Sequence, residues 1–446
     1  MKLDSDLYLH DSDKAAMTAL KGIPGFTQVM KGFMKIWNEQ QFKLINMSTN
    51  LRISEEQMPQ YYNMLLPICE KLGIEVPELY LEMNVVPNAY TYGDTHPFIV
   101  ITSGLLDIMP DELIPTILAH ECGHIACHHT LYTTMGKIIM NGSAALASGL
   151  SGIISYPLQL AFSYWSRCSE FSADRAAMIY DGGSDKVVEM CMRFAGYDKN
   201  IQAKANPEAF MQQAVEYRKL VKESTWNKTM EFMLFQNINH PLNAVRALEA
   251  KEWTEAERFN MINEYLNSSS EEASKNMPIK LNPKNFIGKD YYGVANKLKV
   301  MGFAYITTVR TTVSPATRKK GEVVQSVVNG VINPGEDFYK KDSIIELTYF
   351  EPKTDEEIAL EHPGEIRVTE NYKFYLGKPI SEVIDDFKKM GFNGLHVKEM
   401  ALPKLMKWGR ENTVAKIIIN NDSQFEAKTW YKPDVEIIVY YYVIVE

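Results

Sequence analysis

Paired cysteine spacing and a basic run interleaved with aromatics are both missing from this sequence. Its five cysteines, Cys69, Cys122, Cys127, Cys168 and Cys191, are odd in number and show no paired spacing. That excludes a disulfide framework and points to reduced thiols in a reducing compartment. Met1-Lys2-Leu3-Asp4-Ser5-Asp6 has no basic segment leading into an apolar one, so no cleaved secretory signal is expected and a cytoplasmic location is. Lys and Arg number 47 against 56 Asp and Glu, a formal net charge of −9. Without a basic run interleaved with aromatics, nucleic acid is excluded as the main partner. Long uncharged runs are scarce as well. The one membrane candidate is 138–166, uncharged between Lys137 and Arg167 and longer than the roughly 20 residues a bilayer crossing needs.

What is present is ordinary in bulk, with 46% apolar and 23% charged residues in 446, enough for two or three domains. One motif stands apart: His120-Glu121-Cys122-Gly123-His124. The spacing predicts a helix over 111–136, opened by Asp111, with Leu113, Ile114, Ile117, Leu118 and Ile125 as its apolar residues. On such a helix the two histidines point the same way, one turn apart, and Glu121 lies beside them. Two neutral imidazoles can hold Zn²⁺, and the carboxylate can take a proton from a water that the ion acidifies. Imidazoles turned into apolar surroundings without a partner would be costly. Pro115 is tolerable in the first turns. Cys122 points away from the histidine face and reads as a small buried hydrophobe; His128 and His129 read as packing or surface residues.

A catalytic zinc takes a third protein ligand. Glu170 and Asp174 are four apart in Ser169-Glu170-Phe171-Ser172-Ala173-Asp174-Arg175, on a helical stretch reaching about Ile179. One carboxylate can ligate the metal while the other orients a liganding imidazole. Ala173, Ala176 and Ala177 suggest close helix packing there.

These motifs resemble the gluzincin metallopeptidases that include HtpX and the CAAX prenyl endopeptidase. Asn88-Ala89-Tyr90, Ile101-Thr102-Ser103-Gly104-Leu105-Leu106 and His240-Pro241 with Arg246 add to the likeness, which covers roughly 40–265. The resemblance implies His120, His124 and Glu170 as ligands of one Zn²⁺, Glu121 as general base, Asp174 as the orienting carboxylate and His240 as a residue steadying the oxyanion. In such peptidases an edge strand holds the substrate backbone extended, and the Asn88 segment is the candidate here. Pro115 and Tyr92-Gly93-Asp94 depart from the family pattern. If Glu170 meets the same ion as His124, the chain must leave and return, so 138–166 is expected to be a helical hairpin, with Pro157 kinking or starting the return arm. That hairpin is expected to be soluble or peripheral; it is also where membrane association would occur.

The expected fold class is α+β: a mostly helical zincin-like peptidase domain with a small sheet (1–275), then two small α/β domains (278–352 and 366–446). Residues 12–50 read as helix, Ser54-Glu55-Glu56-Gln57 as a capping box for a helix closed by Gly73, and Leu79–Val86 and Phe98–Thr102 as strands. The last third repeats itself. Gly288 and Gly302, like Gly377 and Gly391, stand fourteen apart around a helical stretch, and strand-like runs follow each pair. The repeat resembles PASTA domains, which implies modules that dock a partner or a cell-wall-like ligand; plain spacer modules fit as well. Acidic 355–365 reads as a solvated linker, and a fragment of residues 1–275 is expected to fold and hold zinc alone.

The leading function is a zinc endopeptidase acting on protein or peptide. The alternative is a catalytically silent zinc-containing scaffold docking partners through its repeats, against which an intact Glu121 argues. A zinc hydrolase of non-peptide substrates is the third reading.

Overall fold

A computed structural model of the chain describes residues 3–36, 38–140, 156–224, 242–268, 272–273, 277–313, 318–402 and 410–444. They divide into two compact units. The first holds 1–286, 295–307 and 326–346; the second holds 287–294, 308–325 and 347–446.

In the first unit the N-terminal stretch is three helices rather than one: α1 (Asp11–Gly22), α2 (Phe26–Ile36) and α3 (Glu39–Thr49). Pro24 and Gly25, the latter at φ 94°, end the first segment, because Pro cannot donate and Gly takes the left-handed turn. Asn38 caps α3 by accepting from the Gln40 N–H. Strand β1 (Leu51–Ile53) leads into α4 (Pro59–Leu72), which begins with Pro at its first turn and stops at Gly73, φ 70°. Ser54 does not cap that helix. Its hydroxyl closes a local turn onto the Gln57 N–H at 3.2 Å, four residues too early.

Three more strands, β2 (Glu78–Glu82), β3 (Ala89–Tyr92) and β4 (Phe98–Thr102), complete a sheet of order β1-β2-β4-β3. The strand expected to run to Val86 ends at Glu82. β4 is buried along its whole length and pairs parallel with β2 and antiparallel with β3, Ala89 facing Ile101 and Tyr92 facing Phe98. One face, with Leu79, Ala89, Ile99 and Ile101, joins the main core; the other packs Tyr80, Phe98 and Val100 against Phe42, Tyr90 and Tyr92. β3 therefore lies at the sheet edge among the described residues, with Ala89 and Thr91 turned inward.

Thr102 caps α5 (Ser103–Ile108) by accepting from the Leu105 N–H at 3.2 Å. The single helix expected over 111–136 is in fact three pieces: a 3-10 turn (Asp111–Leu113), α6 (Ile114–Ala126) and α7 (Thr130–Met140). Pro115 sits in the first turn of α6, where its missing N–H has no partner to lose. The break comes at His128, in the left-handed region at φ 57°. Among the described residues five helices follow: α8 (Tyr156–Asp181), α9 (Asp185–Phe194), α10 (Pro207–Glu223), α11 (Asn243–Trp253) and α12 (Glu257–Asn267). Pro157 stands in the first turn of α8. Residues 141–155, the middle of the hairpin expected over 138–166, lie outside the described residues. No helix among the described residues is long and apolar enough to cross a membrane.

The two repeats share backbone bonds. Gly288 N donates to Val323 O and Gly377 N to Val414 O, each at 2.8 Å; Phe303 N bonds Leu298 O as Phe392 N bonds Phe387 O, each at 3.1 Å. All four glycines of the fourteen-residue spacing have positive φ, from 78° to 105°. In the second unit, helix Ile380–Met390 lays Val383 and Phe387 on a sheet of order Leu395–Leu402, Ile437–Ile444, Val414–Ile419. Within the first unit, Phe338 of strand Asp337–Tyr339 is buried in the same core as α4, α6 and α8. The stretch read as a solvated linker forms helix Asp355–Leu360 with a complete capping box between Thr354 and Glu357.

Candidate metal centre

α6 and α8 approach each other closely because Gly123 and Ala173 leave room. A Cβ on Gly123 would meet Ala176 Cβ at 2.6 Å and Ala173 Cα at 3.0 Å. This contact sets Glu170, one turn before Ala173–Asp174, against the histidine face of α6. Glu170 Oε2 lies 3.5 Å from His120 Nε2, and Oε1 lies 3.5 Å from His124 Nε2. One ligand atom from each of the three residues falls within 4.8 Å of the others. A tetrahedral zinc with bonds of about 2.0–2.1 Å separates its ligands by about 3.3 Å, so a donor set with no pair beyond 4.8 Å can close on such an ion with small side-chain shifts. The two imidazole planes stand 85° apart with centroids at 4.9 Å, so the rings do not stack on each other.

The outer nitrogen of each imidazole is engaged too. His120 Nδ1 meets Asp174 Oδ1 at 2.9 Å. Arg246 on α11 donates Nε to Asp174 Oδ2 at 2.7 Å and a terminal nitrogen to Oδ1 at 2.5 Å, and lies 3.5 Å from Glu170 Oε2. Burial opposes charge on His120, Asp174 and Arg246, yet their pairing outweighs it. Burial disfavours the His120 imidazolium, but the Asp174 and Glu170 carboxylates bring its pKa up to about 9. Asp174 is held below the usual carboxylate range by Arg246 despite its burial, and Arg246 is held charged by Asp174. For His124 burial dominates and lowers the pKa.

Glu121, 6% exposed, accepts from the Thr91 hydroxyl at 2.5 Å. It opens onto a cleft of about 260 Å³ between β3 and α8, lined by Asn88, Thr91, His124, Thr130, Ser169 and Glu170. A larger hollow of about 970 Å³, lined by Glu39, Asp94, His96 and His128, contains none of the three donors. Asn88 borders the cleft, its N–H bonded to the Thr102 hydroxyl at 2.9 Å. His240 lies outside the described residues. Cys122 is buried away from the cluster beside Cys69, an interaction that pushes its thiol pKa well up.

His129 packs in the interior, and it also meets a side chain of the cluster. It is 3% exposed, and its Nδ1 lies 3.0 Å from His124 Nδ1. The break at His128 causes this, by turning the chain back beneath α6. Sequence reasoning also missed Thr91, Asp13 and the bond from Arg246 to Asp174. Arg246 had a signal in its motif, whereas Thr91 and Asp13 lie in segments with no chemical pattern.

The model of peptidase family M48 matches residues 63–254. The plastoglobule-localized metallopeptidase 48 of Arabidopsis thaliana, chloroplastic, is 30% identical over 270 residues, covering 60% of this chain and 78% of that protein. The chain belongs to peptidase family M48. A protease HtpX homolog of Ralstonia nicotianae is 25% identical over 204 residues, covering 39% of this chain and 70% of its own. The extracellular region of the Ser/Thr kinase PrkC from Staphylococcus aureus aligns with 38% of this chain and 49% of its own at 16% identity, with a TM-score of 0.17, too low to bear on the fold. The M48 match spans every donor of the cluster as well as Asp174 and Arg246.

Proposed function

We propose that this chain is a zinc-dependent metalloendopeptidase holding one Zn²⁺ through His120, His124 and Glu170. The observation that carries the reading is the convergence of His120, His124 and Glu170, each imidazole Nε2 lying 3.5 Å from a Glu170 oxygen, next to a carboxylate already fixed by a hydroxyl. Zn²⁺ bound there would act as a Lewis acid and acidify a water. Thr91 holds Glu121 Oε2, so Oε1 is the oxygen that takes the water's proton and later returns it to the leaving amine. Asp174, itself held by Arg246, keeps His120 Nδ1 engaged and Nε2 turned toward the ion. The substrate backbone runs beside the edge strand β3, with Asn88 at its margin, and His240 steadies the oxyanion. Residues 1–275 carry this chemistry. The PASTA-like repeats at 278–352 and 366–446 dock a partner protein or a cell-wall-like ligand. The setting is cytoplasmic, and any membrane association runs through 138–166. A silent scaffold would have no use for Glu121 held against a cleft.

Elemental analysis of the purified protein should find about one zinc per chain, and the wild type should cleave an unfolded protein that Glu121→Gln leaves intact. Cleavage by Glu121→Gln at the wild-type rate, or a wild type free of zinc, overturns the reading.

A further inference from the structure

We propose that His129, braced by Asp13, is a positioning residue for the metal ligand His124. This rests on the zinc reading above but assigns residues which that reading does not use.

The geometry allows one consistent arrangement of protons. His124 Nε2 faces Glu170 and is the ligand nitrogen, so it must carry a lone pair and the proton of the neutral ring must sit on Nδ1. That Nδ1 lies 3.0 Å from His129 Nδ1, which must then accept. His129 in turn carries its proton on Nε2, which lies 2.9 Å from Asp13 Oδ2. This last contact is at ion-pair distance, though Nε2 does not meet hydrogen-bond alignment. The reverse tautomers fail twice: a protonated His124 Nε2 could not bind metal, and a bare His129 Nε2 would face a carboxylate.

Asp13 is held for this task. It is 2% exposed, and it accepts from Trp165 Nε1 at 2.9 Å and from the Ser172 hydroxyl at 2.6 Å. Ser172 accepts in turn from the His10 N–H at 3.0 Å, just before α1. Trp165 also packs edge-on against the His129 ring, with centroids 5.8 Å apart. The two imidazole ligands are thus served differently. Asp174 reaches His120 directly, whereas His124 is reached from Asp13 through an intervening imidazole. In both cases the outer carboxylate fixes the ring and raises the basicity of the ligand nitrogen.

The test measures zinc affinity by competition with a chromophoric chelator, in the full chain carrying Glu121→Gln to prevent self-digestion. His129→Phe keeps a ring of similar size but offers no acceptor. It should bind zinc about 10- to 100-fold more weakly than the parent. His129→Gln can accept from His124 and donate to Asp13, and should recover most of that loss. A His129→Phe protein that folds and binds zinc like the parent overturns the proposal, as does His129→Gln binding as weakly as Phe. Should the Phe variant fail to fold, histidine ring ¹⁵N spectra of the zinc-loaded parent decide. His124 protonated at Nδ1 and His129 at Nε2 support the proposal; His129 protonated at Nδ1 sinks it. A parent that binds no zinc would overturn the zinc reading and this inference with it.

Discussion

At the scale of residues, the centre is a set of buried charges that tolerate each other only as a group. Glu170, Asp174 and Arg246 are each 5% exposed or less, and removing one leaves the others uncompensated. Arg246→Met should therefore destabilise the zinc-free protein by about 3–5 kcal/mol, read as a shift of the denaturant midpoint. A loss under about 1 kcal/mol would mean that water screens the pair. Glu121→Gln belongs to a different class, because Thr91 can still bond the amide oxygen. It should keep fold and zinc and lower turnover by about 100- to 10,000-fold, measured on an unstructured peptide.

At the scale of elements, the active arrangement depends on how closely α6 and α8 cross. Gly123→Ala puts a methyl 2.6 Å from Ala176 Cβ. The helices must part, at a cost of about 1–3 kcal/mol, and Glu170 recedes from His124. Chemical denaturation should report the first effect and chelator competition the second; an unchanged zinc affinity would show that Glu170 follows α6 rather than its own helix. The far end of α8 offers a pH test. Asp181 is the last residue of that helix, its pKa is raised by burial, and Lys186 lies only 3.2 Å away. A carboxyl whose folded pKa lies above its unfolded value, about 3.9, carries no penalty below that value. The penalty grows as pH rises through the folded pKa. Asp181→Asn also removes a negative charge from a helix C-terminus. It should stabilise the protein by up to about 1 kcal/mol at neutral pH, and the gain should vanish in acid, as followed by thermal unfolding across pH.

At the scale of the whole molecule, a boundary at residue 275 does not coincide with the first compact unit. That unit includes 326–346, and Phe338 shares the peptidase core. Ion pairs Lys14–Glu336, Lys280–Asp6, Arg258–Asp337 and Lys340–Glu264 accompany it. Most are well exposed, so each is worth little, and burial of the Phe338 ring carries most of the difference, about 1.5–3 kcal/mol. A fragment ending at 275 should hold zinc but melt about 3–12 °C below one ending at 352. Equal melting temperatures would return the first repeat to an independent module.

The sequence by itself determined the parts with a local period. His120 with His124, and Glu170 with Asp174, are one helical turn apart in any α-helix, and Ala173, Ala176 and Ala177 already suggested close helix packing. The paired glycines of the repeats were legible for the same reason, since a left-handed turn at a helix end is a property of the residue itself. Only the tertiary structure decided what stands behind each of the converging side chains. Thr91 reaches Glu121 across 30 positions and Asp174 meets Arg246 across 72; Asp13 touches His129 from another helix. Hydrogen bonds between distant segments leave no periodic trace, because one polar residue suffices at each end and nothing nearby repeats it. The break at His128 was equally silent, since positive φ is uncommon for any residue but Gly and no Gly marks that turn. That turn is what places His129 behind His124.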